Sequence, residues 1–151
     1  GNTVMQRNII LLVEDSPDDE VLTLRALKQG KVKNEVIVTR DGAEALDYLF
    51  TTGTYSGREL NVLPQLILLD LKLPKIDGLE VLRRIRADER TKIVPVVILT
   101  SSKEEQDLVA GYSGGCNSYI VKPVDMKQFN DAIQALETYW LVINENVPSR
   151  P

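Results

Sequence analysis

Four apolar runs along the chain each end in a polar residue of chemical interest. The runs IILLV, LILL, VVIL and YIV are continuous, as is typical of strands buried on both faces of a parallel sheet. The residues that end them are Glu14 with Asp15, Asp70, Thr100 and Lys122. Because the carboxyl ends of parallel strands meet at one edge of a sheet, we expect these side chains to lie together.

Helix-start signals follow the apolar runs and complete a repeating strand–helix pattern. Ser16 precedes Pro17 and three acidic residues, a composition that favours the first turn of a helix. Four further starts resemble capping boxes: Asp41–Glu44, Asp77–Glu80, Ser102–Glu105 and Asp125–Gln128. With a short edge strand over 36–38, the pattern predicts five strand–helix units. It therefore predicts an α/β fold with a doubly wound parallel sheet and helices on both faces.

The chain length of 151 residues fits one domain with a sizeable core. We expect a disordered N-terminal segment over 1–7, a domain over 8–143 and a polar C-terminal tail over 144–151. The segment Thr51–Pro64 is rich in Gly and Ser and longer than a usual loop, so we expect irregular structure there.

Composition excludes several classes of function. A net charge of −4 disfavours nucleic-acid binding, and no apolar run approaches the roughly 20 residues that span a bilayer. A polar start and a lone cysteine, Cys116, predict a cytoplasmic protein without an internal disulfide. The chain has no histidine, which excludes Ser-His-Asp chemistry. If a phosphohistidine is involved, a partner protein must supply it.

The polar cluster suits phosphoryl chemistry. Clustered carboxylates repel one another, and oxygen ligands of this kind favour a hard cation such as Mg²⁺. Asp70 is the candidate nucleophile, because an aspartate carboxylate can accept a phosphoryl group as an acyl phosphate. Lys122 and the cation would offset charge on the transferred oxygens, and Thr100 could donate a hydrogen bond to them.

The motifs that surround these residues resemble those of response-regulator receiver domains. The resemblance covers nearly the whole chain and rests on four segments in order: VEDSPDD (13–19), LLDLKLPKIDG (68–78), ILTSS (98–102) and NSYIVKPV (117–124). It implies the flavodoxin-like receiver fold, a five-stranded parallel sheet of order 2-1-3-4-5.

The resemblance also implies a role for each residue that matches the family pattern. Asp70 corresponds to the phosphoacceptor and, with Thr100 and Lys122, to the residues that handle the phosphoryl group. Glu14 stands where many members carry Asp, so its carboxylate would bind the metal through a longer arm. The remaining assignments are a Mg²⁺ site formed by Glu14, Asp15, Asp70 and the Lys72 carbonyl, a switch pair of Thr100 and Tyr119, and a cis proline, Pro123.

A narrower resemblance is to single-domain regulators paired with cyanobacterial phytochromes and related sensor kinases. It rests on the EDSPDDE opening, the long loop before Pro64 and the Tyr139–Leu141 ending. It implies a single-domain two-component response regulator, phosphorylated on Asp70 by a sensor histidine kinase of bacteriophytochrome type. The output would be protein–protein contact or phosphorelay. A homodimer through the fourth helix, fifth strand and last helix is a further expectation. Enzymatic activity would be limited to incidental phosphoryl transfer and autophosphatase activity.

Alternative functions remain open at this point. A nucleotide- or flavin-binding domain would need a phosphate-cradling loop after the first strand, where this chain carries an acidic segment. An aspartate-nucleophile hydrolase usually has a second Asp where Lys72 stands. A pseudo-receiver would bind partners without phosphorylation. For Tyr119, simple edge-strand packing is the alternative to a switch. Lys72 and Ser102 are candidates for tuning hydrolysis of the phosphoryl group by gating water.

Overall fold

The computed structural model describes residues 5–59, 62–110 and 118–144, with side chains over 8–59, 62–109 and 118–135. The strands are β1 (Met5–Val13), β2 (Glu35–Thr39), β3 (Val62–Asp70), β4 (Val96–Thr100) and β5 (Ser118–Val121). The helices are α1 (Pro17–Gln29), α2 (Gly42–Phe50), α3 (Gly78–Ala87), α4 (Lys103–Ala110) and α5 (Met126–Asn144). A single 3-10 turn, Gly53–Tyr55, follows α2 in the described part of the loop before β3.

The strands form one parallel sheet of order β2-β1-β3-β4-β5, which confirms the predicted doubly wound fold. Successive residues of each strand face opposite sides, so the continuous apolar runs supply two cores. Leu11, Ile67 and Ile98 pack with α2 and α3 on one face. Leu12, Leu68 and Leu99 pack with α1 and α5 on the other. This burial on both faces fixes the strand ends that carry the polar residues.

Side-chain caps begin the helices at the predicted positions. The cap of α1 is Ser16, whose Oγ accepts a hydrogen bond from Asp19 N at 3.2 Å. The same contact, between a cap oxygen and the N–H three residues later, forms at Asp41, Asp77, Ser102 and Asp125. Each cap contributes about 1 kcal/mol to helix stability. These caps also hold the loops between strand and helix at the carboxyl edge of the sheet.

The structure differs from three of the predicted boundaries. Residues 5–7 belong to β1 and not to a disordered segment, because their backbone pairs with 62–64 of β3. Consequently β3 begins at Val62, and the predicted irregular segment ends before that residue. At the other end, α5 includes Asn144, the first residue of the predicted tail. Residues 145–151 and Cys116 lie outside the described residues.

Across the described ranges, none of the helices has both the length and the apolar content needed to cross a bilayer.

Candidate functional site

The register of the sheet brings the predicted polar residues to one edge. Val13 pairs with Leu69, so Glu14 and Asp70 follow at the same level of neighbouring strands. Thr100 pairs with Val121, which places Lys122 next to the end of β4. The structure thus brings together at one edge the residues that the sequence placed at four separate strand ends.

Lys122 contacts three acidic side chains of this cluster. Its Nζ donates to Glu14 Oε1 at 3.2 Å, to Asp70 Oδ2 at 3.2 Å and to Asp19 Oδ2 at 2.9 Å. The Lys122 side chain is 11% exposed, so these ion pairs are only weakly screened by solvent. The contact with Asp19 was not predicted, although Asp19 belongs to the acidic first turn that marked the start of α1.

Three carboxylates of the cluster are placed to hold a metal ion. One carboxylate oxygen each from Glu14, Asp15 and Asp70 lies within 4.8 Å of the others. Glu14 and Asp70 are buried and Asp15 is exposed, which leaves one side open to solvent. Among the described side chains, Lys122 is the cation that pairs with Glu14, Asp70 and Asp19, and Asp15 adds a further carboxylate, so the set has an excess of negative charge. An all-oxygen donor set with that excess fits a divalent cation such as Mg²⁺.

The pKa values of Glu14 and Lys122 reflect this excess of negative charge. Burial, together with a hydrogen bond and charge repulsion from Asp70, raises the pKa of Glu14 from 4.5 to about 8. Burial alone would lower the pKa of Lys122, but its contacts with Asp19, Asp70 and Glu14 outweigh burial and raise that pKa. Near neutral pH, Glu14 therefore retains a proton when no metal ion is bound, and Lys122 remains charged.

The loop after β3 holds Asp70 in place through a close approach to α3. The N–H of Lys72 lies 3.4 Å from Asp70 Oδ1, and Gly78 N donates to Leu71 O at 2.8 Å. A Cβ at Gly78 would lie 2.4 Å from the Asp70 carbonyl oxygen, so only glycine fits there. The glycine of the KLPKIDG segment thus allows α3 to begin directly against the strand that carries Asp70.

Thr100 and Tyr119 lie on the neighbouring strands β4 and β5. The Thr100 hydroxyl is buried and donates to Ile120 O at 3.4 Å, toward β5. The Tyr119 side chain on the adjoining strand is 44% exposed. Their roles as a switch pair stay a prediction. The Lys122–Pro123 peptide bond is cis, as the resemblance implied.

The cleft beside the acidic group has a volume of about 490 Å³. Asp15 and Lys72 line it, together with Leu108 of α4. The predicted metal ligation by the Lys72 carbonyl is compatible with this position and stays a prediction. A second unpredicted feature is Glu105, which was expected only to take part in a capping box. Its carboxylate is buried and bonded to Ser101, the residue after Thr100.

The comparisons with known proteins agree with this geometry. Residues 10–134 match the response regulator receiver domain family. The response regulator Rcp1 of Synechocystis sp. is 42% identical over 133 residues, which is 88% of each chain.

Two solved structures are similar over most of this chain. The bacteriophytochrome response regulator AtBRR is 55% identical, with a TM-score of 0.81 over 85% of this chain and 91% of that one. The Mn²⁺-bound form of Rcp1 is 40% identical, with a TM-score of 0.68 over 95% of this chain and 99% of that one. Family match, sheet order and acidic cluster lead to one conclusion: the chain belongs to the response-regulator receiver domain family of two-component systems.

Proposed function

We propose that Asp70 accepts a phosphoryl group from a sensor histidine kinase in a Mg²⁺-dependent reaction. The observation that carries this proposal is the arrangement around Asp70. Its carboxylate lies 3.2 Å from the Lys122 ammonium and shares a potential metal site with Glu14 and Asp15. A nucleophile, a cation and oxygen ligands for a divalent ion are the parts that phosphoryl transfer requires.

The transfer would begin with attack by an Asp70 carboxylate oxygen on the phosphorus of a phosphohistidine. The O–P bond forms as the N–P bond breaks, and the electron pair of that bond stays on the imidazole nitrogen. The ring retains one proton as the neutral leaving group, and Asp70 becomes an acyl phosphate. Because this chain has no histidine, the donor has to be a partner protein.

The residues around Asp70 have separable parts in this reaction. Glu14, Asp15, Asp70 and the Lys72 carbonyl would hold Mg²⁺, which when bound supplies positive charge next to the phosphoryl oxygens. Glu14, with its raised pKa, would release its proton as it becomes a ligand. Lys122 would exchange its contact with Asp70 Oδ2 for one with a phosphoryl oxygen. Thr100, on the neighbouring strand β4, would donate a hydrogen bond from its hydroxyl to another phosphoryl oxygen.

The output of the phosphorylated protein is proposed to be protein contact or phosphorelay. Leu108 on α4 and Tyr119 on β5 are 57% and 44% exposed, so this side presents apolar surface for a partner or a second copy. A cytoplasmic location and a kinase of bacteriophytochrome type fit the similarity to a bacteriophytochrome response regulator. Any autophosphatase activity would be incidental to signalling.

Labelling with a small phosphodonor tests the assignment of Asp70. With acetyl phosphate and Mg²⁺, we expect the intact mass to increase by one phosphoryl group. Asp70→Asn should remove the label, and the exposed Asp18→Asn should keep it. An unlabelled wild-type chain that still binds a kinase would instead indicate the phosphorylation-independent pseudo-receiver.

Phosphotransfer from purified histidine kinases tests the proposed partner class. A bacteriophytochrome-type kinase that carries labelled phosphohistidine should lose its label to this chain within seconds to minutes. Kinases of unrelated sensor classes should transfer the phosphoryl group to this chain much more slowly. Equal transfer rates across all classes would contradict the proposed specificity.

Sedimentation with and without phosphodonor tests the proposed homodimer. A mass near 16.9 kDa at high protein concentration under both conditions would contradict dimerisation.

A further inference from the structure

Glu105 is a buried carboxylate that the proposed phosphoryl chemistry does not use. It lies in the first turn of α4, and the residue is 3% exposed. Its Oε1 accepts from Ser101 N at 3.2 Å, and its Oε2 accepts from Ser101 Oγ at 2.6 Å. Lys72 Nζ lies 3.9 Å from Oε2. Burial makes these bonds costly to break, because the carboxylate would lose partners away from water.

The contacts of Glu105 go beyond those of a helix cap. In a capping box, the third helical residue returns its side chain to the N–H of the cap residue. Ser102 is the cap here, and its Oγ accepts from Glu105 N at 3.1 Å. The Glu105 carboxylate, however, bonds to the N–H and hydroxyl of Ser101, one residue before the cap. It therefore fixes the residue that directly follows Thr100.

In the proposed switch, Thr100 moves toward a phosphoryl group on Asp70. Ser101 links Thr100 to α4, so this displacement must carry Ser101 with it. The two bonds from Ser101 to Glu105 oppose that displacement, and hydrogen bonds to a charged group are about twice as strong as neutral ones. Glu105 itself is held by the fold, since the next turn of α4 buries Val109 in the core. The turn after β4 is thus tied to α4.

We propose that Glu105 is a positioning residue that latches the Thr100–Ser102 turn in its unphosphorylated position. The inference rests on the proposed function, because the latch acts against a phosphoryl group on Asp70. The latch determines what fraction of the phosphorylated protein adopts the conformation in which Thr100 has moved toward Asp70. Lys72 couples the two sites, since its N–H lies near Asp70 Oδ1 and its ammonium lies near Glu105. Added phosphoryl charge would attract Lys72 away from Glu105 and weaken the latch.

A titration with beryllofluoride, an analogue of the phosphoryl group, tests the latch. In the presence of Mg²⁺, the amide signals of residues 100–102 would report binding to the ¹⁵N-labelled full chain. Glu105→Gln removes the charge but keeps the shape, and we expect it to bind the analogue about tenfold more tightly than the wild type. Glu104→Gln is the matched control, because it removes the same charge from an exposed neighbour in the same turn. We expect it to change the affinity less than about twofold.

A second variant keeps the test decisive if Glu105→Gln folds poorly. Ser101→Ala removes the 2.6 Å bond from the other side, so it should also tighten binding. The effects of the two substitutions should not add, because both act on the bond between the Ser101 hydroxyl and the Glu105 carboxylate. Unchanged or weaker binding by both single variants would overturn the latch, as would equal effects of Glu104→Gln and Glu105→Gln. A folded wild-type chain that fails to bind the analogue would instead refute the proposed function, and the latch with it.

Discussion

The ammonium of Lys122 lies 3.2 Å from Oδ2 of Asp70, across a sequence separation of 52 residues. The same ammonium contacts Glu14 and Asp19, so one cation contacts three acidic side chains. Lys122 therefore has two effects that can be separated. It lowers the repulsion within the unphosphorylated cluster, and it places positive charge where phosphoryl oxygens would arrive.

Replacing Lys122 should reveal both effects. Without metal, Lys122→Gln leaves buried carboxylates without their cation, and we expect the free energy of unfolding in urea to fall by about 3 kcal/mol. Saturating Mg²⁺ should restore part of that loss.

Labelling of Lys122→Gln by acetyl phosphate should be about a hundredfold slower than labelling of the wild type, as when a charge-stabilising donor is removed. Lys127→Gln, at an exposed position on α5, is the control. Labelling of Lys122→Gln at the wild-type rate would show that Lys122 has no part in the transfer.

The pKa of Glu14 predicts an unusual dependence of stability on pH in the metal-free protein. Glu14 titrates near 4.5 when unfolded and near 8 when folded, so between these values the folded chain binds one proton more. Stability contributed by this proton is therefore complete below about pH 4.5 and lost as the pH rises toward 8. The slope is at most about 1.4 kcal/mol per pH unit. Urea unfolding at several pH values in the presence of a chelator measures it.

Glu14→Gln is the control for this titration, because the amide fills the same space and does not ionise. The variant should lose the decline between pH 5 and 8, and the two stability curves should converge at the acidic end. Added Mg²⁺ should stabilise the wild type more at pH 8 than at pH 6, since the ion competes with the proton. Parallel curves for wild type and variant would contradict the raised pKa.

The sequence predicted the site better than it predicted the boundaries of the elements. Asp70, Thr100 and Lys122 follow apolar runs, and a parallel sheet leaves one edge where such ends can meet. The early start of β3 was missed because the length and the Gly and Ser content of the segment Thr51–Pro64 suggested irregular structure. In the structure, Pro64 lies in β3 close to a shift in the pairing with β1, which suits a residue that has no N–H to donate.

The contacts that the sequence did not predict depend on side-chain reach. Asp19 appeared only as an acidic residue in the first turn of α1, yet it forms the shortest ion pair of Lys122. Spacing along the chain cannot show that a lysine 103 residues later extends to that turn. Likewise, the capping pattern at Ser102 predicted the backbone contact of Glu105 but not the carboxylate bonds to Ser101.

Two glycines of different surroundings test how tightly α3 supports Asp70. A Cβ at Gly78 would lie 2.4 Å from Asp70 O and 2.7 Å from Leu71 O, both of them backbone atoms that cannot easily move. We expect Gly78→Ala to lower the free energy of unfolding by about 2–3 kcal/mol and to slow labelling of Asp70. Gly57 has no atom within 4 Å of the corresponding Cβ position. Gly57→Ala should therefore change stability by less than about 1 kcal/mol. Equal losses from both variants in urea titrations would contradict the close packing at Gly78.

Two buried threonines at the ends of strands test the switch. Thr100 ends β4 and Thr39 ends β2, and valine matches the shape of either while removing the hydroxyl. The ring signals of Tyr119, observed by NMR with labelled tyrosine, should shift when the wild type is phosphorylated, as the ring turns inward from its exposed position. Thr100→Val should still accept the phosphoryl group but lose most of that shift, because valine cannot bond to it. Thr39→Val should keep the full shift.

Among the described side chains, Thr39 Oγ1 is the buried polar atom without a hydrogen-bond partner, so Thr39→Val should also be more stable by about 1 kcal/mol. A normal Tyr119 shift in Thr100→Val would mean that the ring responds to phosphorylation by a route that does not include the Thr100 hydroxyl.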